Sequence, residues 1–283
     1  MDLLKKKNFT KIIPSCTISF NKSSRQVLLT YRRLEPTKYL QEVRIMEKEK
    51  VLVISAHAVD FVWRCGGTIA QYAANGHQVK VVDITFGERG ESNDVWIQNP
   101  GINERDVVEI RRKEATKCAE ILGAEIEFLD DHLLDYDNAR ITKLAEIIKE
   151  FHPGIVLTHW EKDPLNYDHP NTSKATQAAL RLAQVRGAVH PEWAPTSGVR
   201  TFMFEPDQPE FCDFKPDVYI DITDVMDKKL EAMNSIVAQE YLIKNYTARG
   251  EYRAYLAQRQ SGKKDIKMAE AFKRFNCYVG KSF

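Results

Sequence analysis

Val51-Leu52-Val53-Ile54-Ser55-Ala56-His57-Ala58-Val59-Asp60 runs directly into Phe61-Val62-Trp63-Arg64-Cys65-Gly66-Gly67. A short run rich in β-branched residues, with no polar interruption, reads as a strand buried on both faces, the kind found in parallel sheets. The glycine pair that follows suits the start of a helix packed closely on its neighbours. The stretch therefore reads as the opening of a βαβ unit, with His57 and Asp60 where strand hands over to helix.

The same alternation continues outward from it. Val79 to Thr85, Ile126 to Leu129, Ile155 to His159, Thr201 to Phe204 and Val218 to Ile222 read as strands. Helical patterns cover Gly67 to Ala74, Glu104 to Leu122, Ile141 to Phe151, Thr172 to Val185 and Asp224 to about Gln239. Such alternation predicts an α/β fold of three layers, Rossmann-like, with a mostly parallel sheet flanked by helices. Phe86 to Gly101 is read as a long polar loop, a length that compact domains usually reserve for function.

Three divisions are expected: an extension over 1–45, a catalytic domain over 46–240, and a helical C-terminal extension over 241–283. From Met1 to Arg33 there are eight Lys or Arg against one acid, Asp2. That composition suits a targeting or disordered basic arm or an over-long translation start, and deletion of 1–45 is expected to leave folding and activity intact. Tyr241, Tyr246, Tyr252, Arg253 and Tyr255 suit either a subunit contact in a homo-oligomer or a helix packed on its own domain.

The 283 residues suffice for a sizeable core, and a formal net charge of +1 gives no global case for nucleic acid or a membrane surface. A small-molecule substrate fits better. The five cysteines are scattered with no CxxC pair, which argues against a disulfide framework and fits a reducing cytoplasm. No apolar run reaches the roughly 20 residues that span a bilayer.

In open α/β sheets, ligands sit outside the carboxyl ends of the strands. Three loops there carry functional side chains: His57 to Arg64, Phe86 to Ser92, and His159 to Asn171. His57 and Asp60, three apart across a turn, can face one ion, and the cluster Asp163-Pro164-Leu165-Asn166-Tyr167-Asp168-His169 offers His169 as a third ligand. Two imidazoles and a carboxylate leave a position open, as catalytic zinc requires, so one Zn²⁺ per subunit is expected. Asp168 would orient a histidine or accept a proton. Taken alone, His57 reads as an ordinary polar residue at a strand end; the second cluster reverses that reading. His159 is a further polar group near the site or a plain strand-end histidine, while His77, His132 and His152 read as surface or turn positions. Cys65 reads as a packing residue. The Gly87-Glu88-Arg89-Gly90-Glu91-Ser92 loop reads either as a solvated charge run or as backbone wrapped round a ligand, with Arg89 as a fork for a carboxylate.

These residues resemble the PIG-L family, also called LmbE-like, of zinc-dependent de-N-acetylases. Its AHPDDE-type motif stands here as AHAVDF at 56–61, its GG at 66 and 67, and its HPDH-type motif as NYDH at 166–169. The resemblance implies metal ligation by His57, Asp60 and His169. It also sets Val59 against the family's general-base aspartate, Phe61 against a glutamate, and Asn166 against the histidine that steadies the oxyanion. The metal shell is kept and the hydrolytic positions are changed. SAHxxDFVWRxGG together with FGERGES resembles a distinct branch, the 4-oxalomesaconate hydratases of gallate catabolism, which add water to a carbon–carbon double bond. The resemblance implies an unsaturated polycarboxylate substrate, for which Arg64, Arg89, Asn166 and Glu91 are binding candidates. Glu88, Asp168 and His190, in that order, are candidates for the proton shuttle. A deacetylase of a sugar or thiol conjugate with a relocated base, and a catalytically silent metal-binding module, are the alternatives.

Overall fold

The computed structural model describes residues 48–131 and 137–280, together with the backbone of four short strands between 12 and 43. The chain divides after Lys48 into two units. The first contains β1 (Ile12–Ile13), β2 (Cys16–Asn21), β3 (Gln26–Tyr31) and β4 (Glu42–Val43), an antiparallel sheet in that order. These strands lie in the stretch whose composition suggested a disordered arm.

The second unit holds the candidate site. Its elements are β5 (Lys50–His57), α1 (Asp60–Ala74), β6 (Gln78–Thr85), α2 (Asn93–Gln98), α3 (Glu104–Leu122), β7 (Glu125–Asp131), α4 (Asn138–Phe151), β8 (Ile155–Thr158), α5 (Asp168–Ala183), β9 (Arg200–Phe204), β10 (Val218–Asp221), α6 (Met226–Asn234), α7 (Leu242–Ser261) and β11 (Ala269–Arg274). Seven strands form one sheet in the order β10-β11-β9-β8-β5-β6-β7. The run from β9 to β7 is parallel, and β11 enters antiparallel between β9 and β10. The three-layer α/β architecture read from the sequence is the one observed.

Two apolar layers sandwich the sheet. Val51 and Val53 face one with α1, α3, α6 and α7; Leu52 and Ile54 face the other with α4 and α5, as period-two alternation requires. Because β6 and β8 flank β5 on opposite sides, the crossovers diverge there and open a crevice beyond its carboxyl end, the topological switch point. His57 is the last residue of β5.

Two expectations change. The polar stretch after β6 contains the short helix α2. Residues 241–283 are not an appendage: α7 packs on the sheet and β11 is one of its inner strands. Tyr246 and Arg253 are buried in their own domain, while Tyr241, Tyr252 and Tyr255 remain exposed. His132 lies outside the described residues.

Helix α1 has a kink at Cys65 (φ −144°, ψ 18°), where its helical dihedrals are interrupted. The freed backbone groups are taken up by distant side chains. Glu270 on β11 accepts from Gly67 N at 2.8 Å, Thr68 N at 2.7 Å and Thr68 Oγ1 at 2.6 Å. Lys229 on α6 donates to Glu270 at 2.6 Å and to Trp63 O at 3.0 Å. Gly67 is needed there, since a Cβ would stand 2.6 Å from Ile222.

Candidate metal centre

His57 leaves β5 and Asp60 opens α1, joined by Val59 in the left-handed region at φ 70°. A β-branched residue is strained there, by about 1–3 kcal/mol. The turn is held against that cost: Ala58 N donates to Thr85 O at 3.0 Å, and the fully buried Arg111 donates to Ala58 O at 2.6 Å and Phe86 O at 3.3 Å. One guanidinium thus ties together the loops after β5 and β6. His57 N donates to Asp60 Oδ2 at 3.0 Å, and His57 Nδ1 lies 3.1 Å from the same oxygen.

The third sequence cluster arrives from the β8–α5 connection. Helix α5 begins at Asp168, earlier than its sequence pattern suggested, which places His169 on the first turn. His169 Nε2 lies 3.5 Å from Asp60 Oδ2 and 3.8 Å from Glu91 Oε1, which is itself 3.3 Å from His57 Nδ1. Donor atoms of His57, Asp60, Glu91 and His169 all fall within 4.8 Å of one another. Convergence of the three loops, expected from their position at strand ends, is what the structure shows.

The far nitrogens are held by carboxylates. His57 Nε2 is 2.8 Å from Asp168 Oδ2 and His169 Nδ1 is 2.8 Å from Asp163 Oδ2. A proton on each of those nitrogens leaves His57 Nδ1 and His169 Nε2 with lone pairs facing Asp60, the arrangement by which proteins fix metal-binding imidazoles. His169 Nε2 is buried and has no hydrogen-bond partner among the described residues, which costs free energy unless something occupies the space before it. A divalent cation fits: two imidazoles and two carboxylates converge, with nitrogen and oxygen donors only.

Electrostatics point the same way. Burial alone would lower the His57 pKa, but Glu91, Asp168 and Asp60 outweigh it and raise it well above the ordinary imidazole value. Burial favours the neutral acid at Asp60, yet the imidazoles of His169 and His159 hold its pKa well below the usual carboxylate range. The cluster therefore has negative charge to spare. His159 stacks on His169 at 4.1 Å, and its Nε2 accepts from Ala56 N at 2.9 Å, so it packs against the centre with that nitrogen occupied.

Residues 52–180 match the PIG-L family, described as GlcNAc-PI de-N-acetylase. The 4-oxalmesaconate hydratase of Pseudomonas putida KT2440 is 41% identical over 217 residues, which cover 76% of this chain and 83% of that one. This chain belongs to the PIG-L family. Among solved structures, GalB, the 4-carboxy-2-hydroxymuconate hydratase of Pseudomonas putida KT2440, superposes with a TM-score of 0.80 at 39% identity, over 83% of this chain and 99% of its own. N,N'-diacetylchitobiose deacetylase from Pyrococcus horikoshii shares the fold, with a TM-score of 0.67 at 22% identity over 81% of this chain and 84% of that one.

Against the PIG-L pattern, Val59 and Phe61 are fully buried in the apolar layer. Asn166 turns its amide to Glu91 Oε1 at 2.6 Å, and its own carbonyl accepts from Asp168 N at 3.1 Å. Beside the donors opens a cavity of about 240 Å³ lined by Asp60, Trp63, Arg64, Glu91, Asn166 and Gln239, among others. Arg64 is buried, donating to Asp60 Oδ1 at 3.3 Å and Glu205 O at 3.1 Å.

Other candidates lie elsewhere. Arg89 is 76% exposed and paired with Glu104, so it does not reach the cavity. Glu88 is buried within its loop and is absent from the cavity wall. His190 stacks on Trp193 and lies 3.4 Å from Glu146 on α4, close to Lys149, whose Nζ donates to His190 O at 3.1 Å. The end of α4 leads into the start of β8, so His190 belongs to the opposite rim of the sheet from the metal centre. A histidine isolated in sequence carries no sign of which rim it will occupy. Reading the sequence alone missed Asp163 as the partner of His169, and Arg111, Gln239 and Tyr246, which come from helices and a connection with no motif to mark them.

Proposed function

We propose that this chain is a zinc-dependent hydratase that adds water to the conjugated double bond of an unsaturated oxo-tricarboxylate of the 4-oxalomesaconate type, as in gallate catabolism. The observation that carries the reading is a complete set of metal donors beside positions 59 and 61 that have become apolar and buried, with Asn166 spent on Glu91. The hydrolytic base of a de-N-acetylase has no place here, whereas hydration needs none at that position. The identity to the Pseudomonas putida hydratase over most of both chains supports the same reaction class.

His57, Asp60 and His169 would hold the ion. When bound, it supplies a Lewis acid for the substrate's oxo group. Asp163 and Asp168 keep the two imidazoles in the ligating tautomer. Arg64, with N–H groups left over from Asp60 and Glu205, takes a substrate carboxylate. Glu91 stands at the cavity wall within reach of the donors, and Asn166 fixes one of its oxygens. It is the carboxylate placed to take a proton from the attacking water, a role that supersedes the sequence-based ranking of Glu88 and His190. Tyr246, its pKa pushed up to about 12 by burial, presents a neutral phenol to the same wall. Three buried free thiols, Cys65, Cys118 and Cys212, suit a reducing cytoplasm.

The test is direct: purified, zinc-loaded protein should bleach the absorbance of 4-oxalomesaconate and release no acetate from an N-acetyl sugar. The converse pattern would return the chain to the deacetylases.

A further inference from the structure

Gln239 lies in the connection between α6 and α7, where no helix or strand holds it, yet it is 5% exposed and its position is fixed by side chains of α1 and α3. Glu114 on α3 accepts from Val237 N at 2.8 Å and Ala238 N at 3.0 Å, pinning the backbone just before it. The side-chain oxygen then accepts from Trp63 Nε1 at 3.1 Å and from Arg111 Nη2 at 3.3 Å. Indole and guanidinium nitrogens can only donate, so the two contacts identify which end of the carboxamide is oxygen.

The amide nitrogen is thereby turned away from both. It has no hydrogen-bond partner among the described residues. It is not sealed off from open space, and Gln239 lines the cavity beside the metal donors. With the oxygen taken, the two amide N–H donors are the groups of Gln239 left open to a ligand in that cavity. Around that space stand Asp60, Glu91, Asp163 and Asp207, with Arg64 the only cationic side chain in the wall among the described residues. A substrate with several carboxylates cannot be met there by cations alone; neutral donors must take what Arg64 and a bound ion leave.

We propose that Gln239 is a specificity-determining residue whose amide N–H groups receive one carboxylate of the substrate. The assignment rests on the polycarboxylate reading of the site. It adds a recognition element from the C-terminal half of the chain, oriented by Arg111, the same guanidinium that ties down the strand-end loops.

The discriminating variant is Gln239→Glu, which retains an oxygen acceptor for Trp63 and Arg111 while replacing the donors by an anion. In zinc-loaded protein, KM for 4-oxalomesaconate should rise by about 10- to 100-fold, the worth of a hydrogen bond to a charged group. Affinity for the unreactive tricarboxylate tricarballylate, measured by calorimetry, should fall in parallel, with Tm close to wild type. Gln239→Leu removes both ends and should also lower Tm, separating recognition from packing. If wild type hydrates 4-oxalomesaconate and the Glu variant keeps wild-type KM and tricarballylate affinity, the assignment fails alone. If the Glu variant loses affinity only to the extent that Tm collapses, as in the Leu variant, Gln239 is structural and the assignment also fails. If wild type shows no turnover, the functional reading falls and takes this one with it.

Discussion

Helix α1 touches two buried ionic clusters, one on either side of its kink, and they are built on opposite plans. Around its first turn, Asp60, Glu91, Asp163 and Asp168 reach two imidazoles, and Arg64 is the one guanidinium bonded to any of them among the described residues. Around its second half, Glu270 meets Lys229, and every acceptor is matched to a donor: two backbone N–H groups, a hydroxyl and an ammonium. The first cluster keeps an orphaned imidazole nitrogen and surplus negative charge; the second is closed. A buried network that balances itself serves the fold, and one that does not is open to a cation.

The largest effect is expected where the imbalance is removed. Asp60→Asn should strip zinc from the purified protein and lower kcat by about 10³-fold or more, since several kcal/mol of charge stabilisation depend on the ion. Melting of the metal-free protein should also fall, because the fold holds Asp60 ionised through the imidazoles and Arg64. Wild-type zinc content in this variant, by elemental analysis, would end the argument from charge.

The closed cluster should lose stability and keep the metal. Lys229→Met leaves Glu270 buried without its cation and should cost about 3–5 kcal/mol, a Tm lower by roughly 10 °C, while the surviving folded protein still binds zinc. Equal loss of metal and stability would mean that the two clusters are not separable.

Asp83 sharpens the comparison with a smaller effect. It is buried on β6, and both its carboxyl oxygens lack hydrogen-bond partners among the described residues. Burial pushes its pKa well above the ordinary value of 3.8. The folded state then keeps a proton that the unfolded chain has released. This group's contribution is full below the unfolded pKa and is lost as pH rises through the folded one. Asp83→Asn should therefore gain about 1 kcal/mol or more on wild type at pH 8 and show no advantage at pH 4 in denaturant titrations. An advantage independent of pH would show that Asp83 is ionised.

The unbalanced cluster was largely legible in the sequence, because most of its members sit at strand ends and at short spacings: His57 with Asp60, and Asp168 with His169. Their convergence followed from the rule for strand carboxyl ends. Within the GERGES loop the sequence could not say which charge turns inward, and it is Glu91, not Arg89, that does so. The closed cluster left no trace. Lys229 and Glu270 are 41 residues apart, and Ala269–Arg274, with its Ala, Glu, Lys and Arg, has the composition of a helix. Pairing on both sides, with β9 and β10, makes it a strand, an instance of tertiary context overriding propensity. For the same reason residues 241–283 read as an appendage when they complete the sheet.

That late strand has a consequence for biosynthesis. The carboxylate that seals the first helix of the catalytic unit arrives only when residue 270 has been made, some two hundred residues after the helix itself. Until then Lys229 lacks its counter-ion, and the gap between β9 and β10 stays open. A nascent chain halted short of β11 would expose unpaired strand edges, the species that aggregates or meets a protease first. Synthesis of an intact β11 is thus what commits this scaffold to its native state.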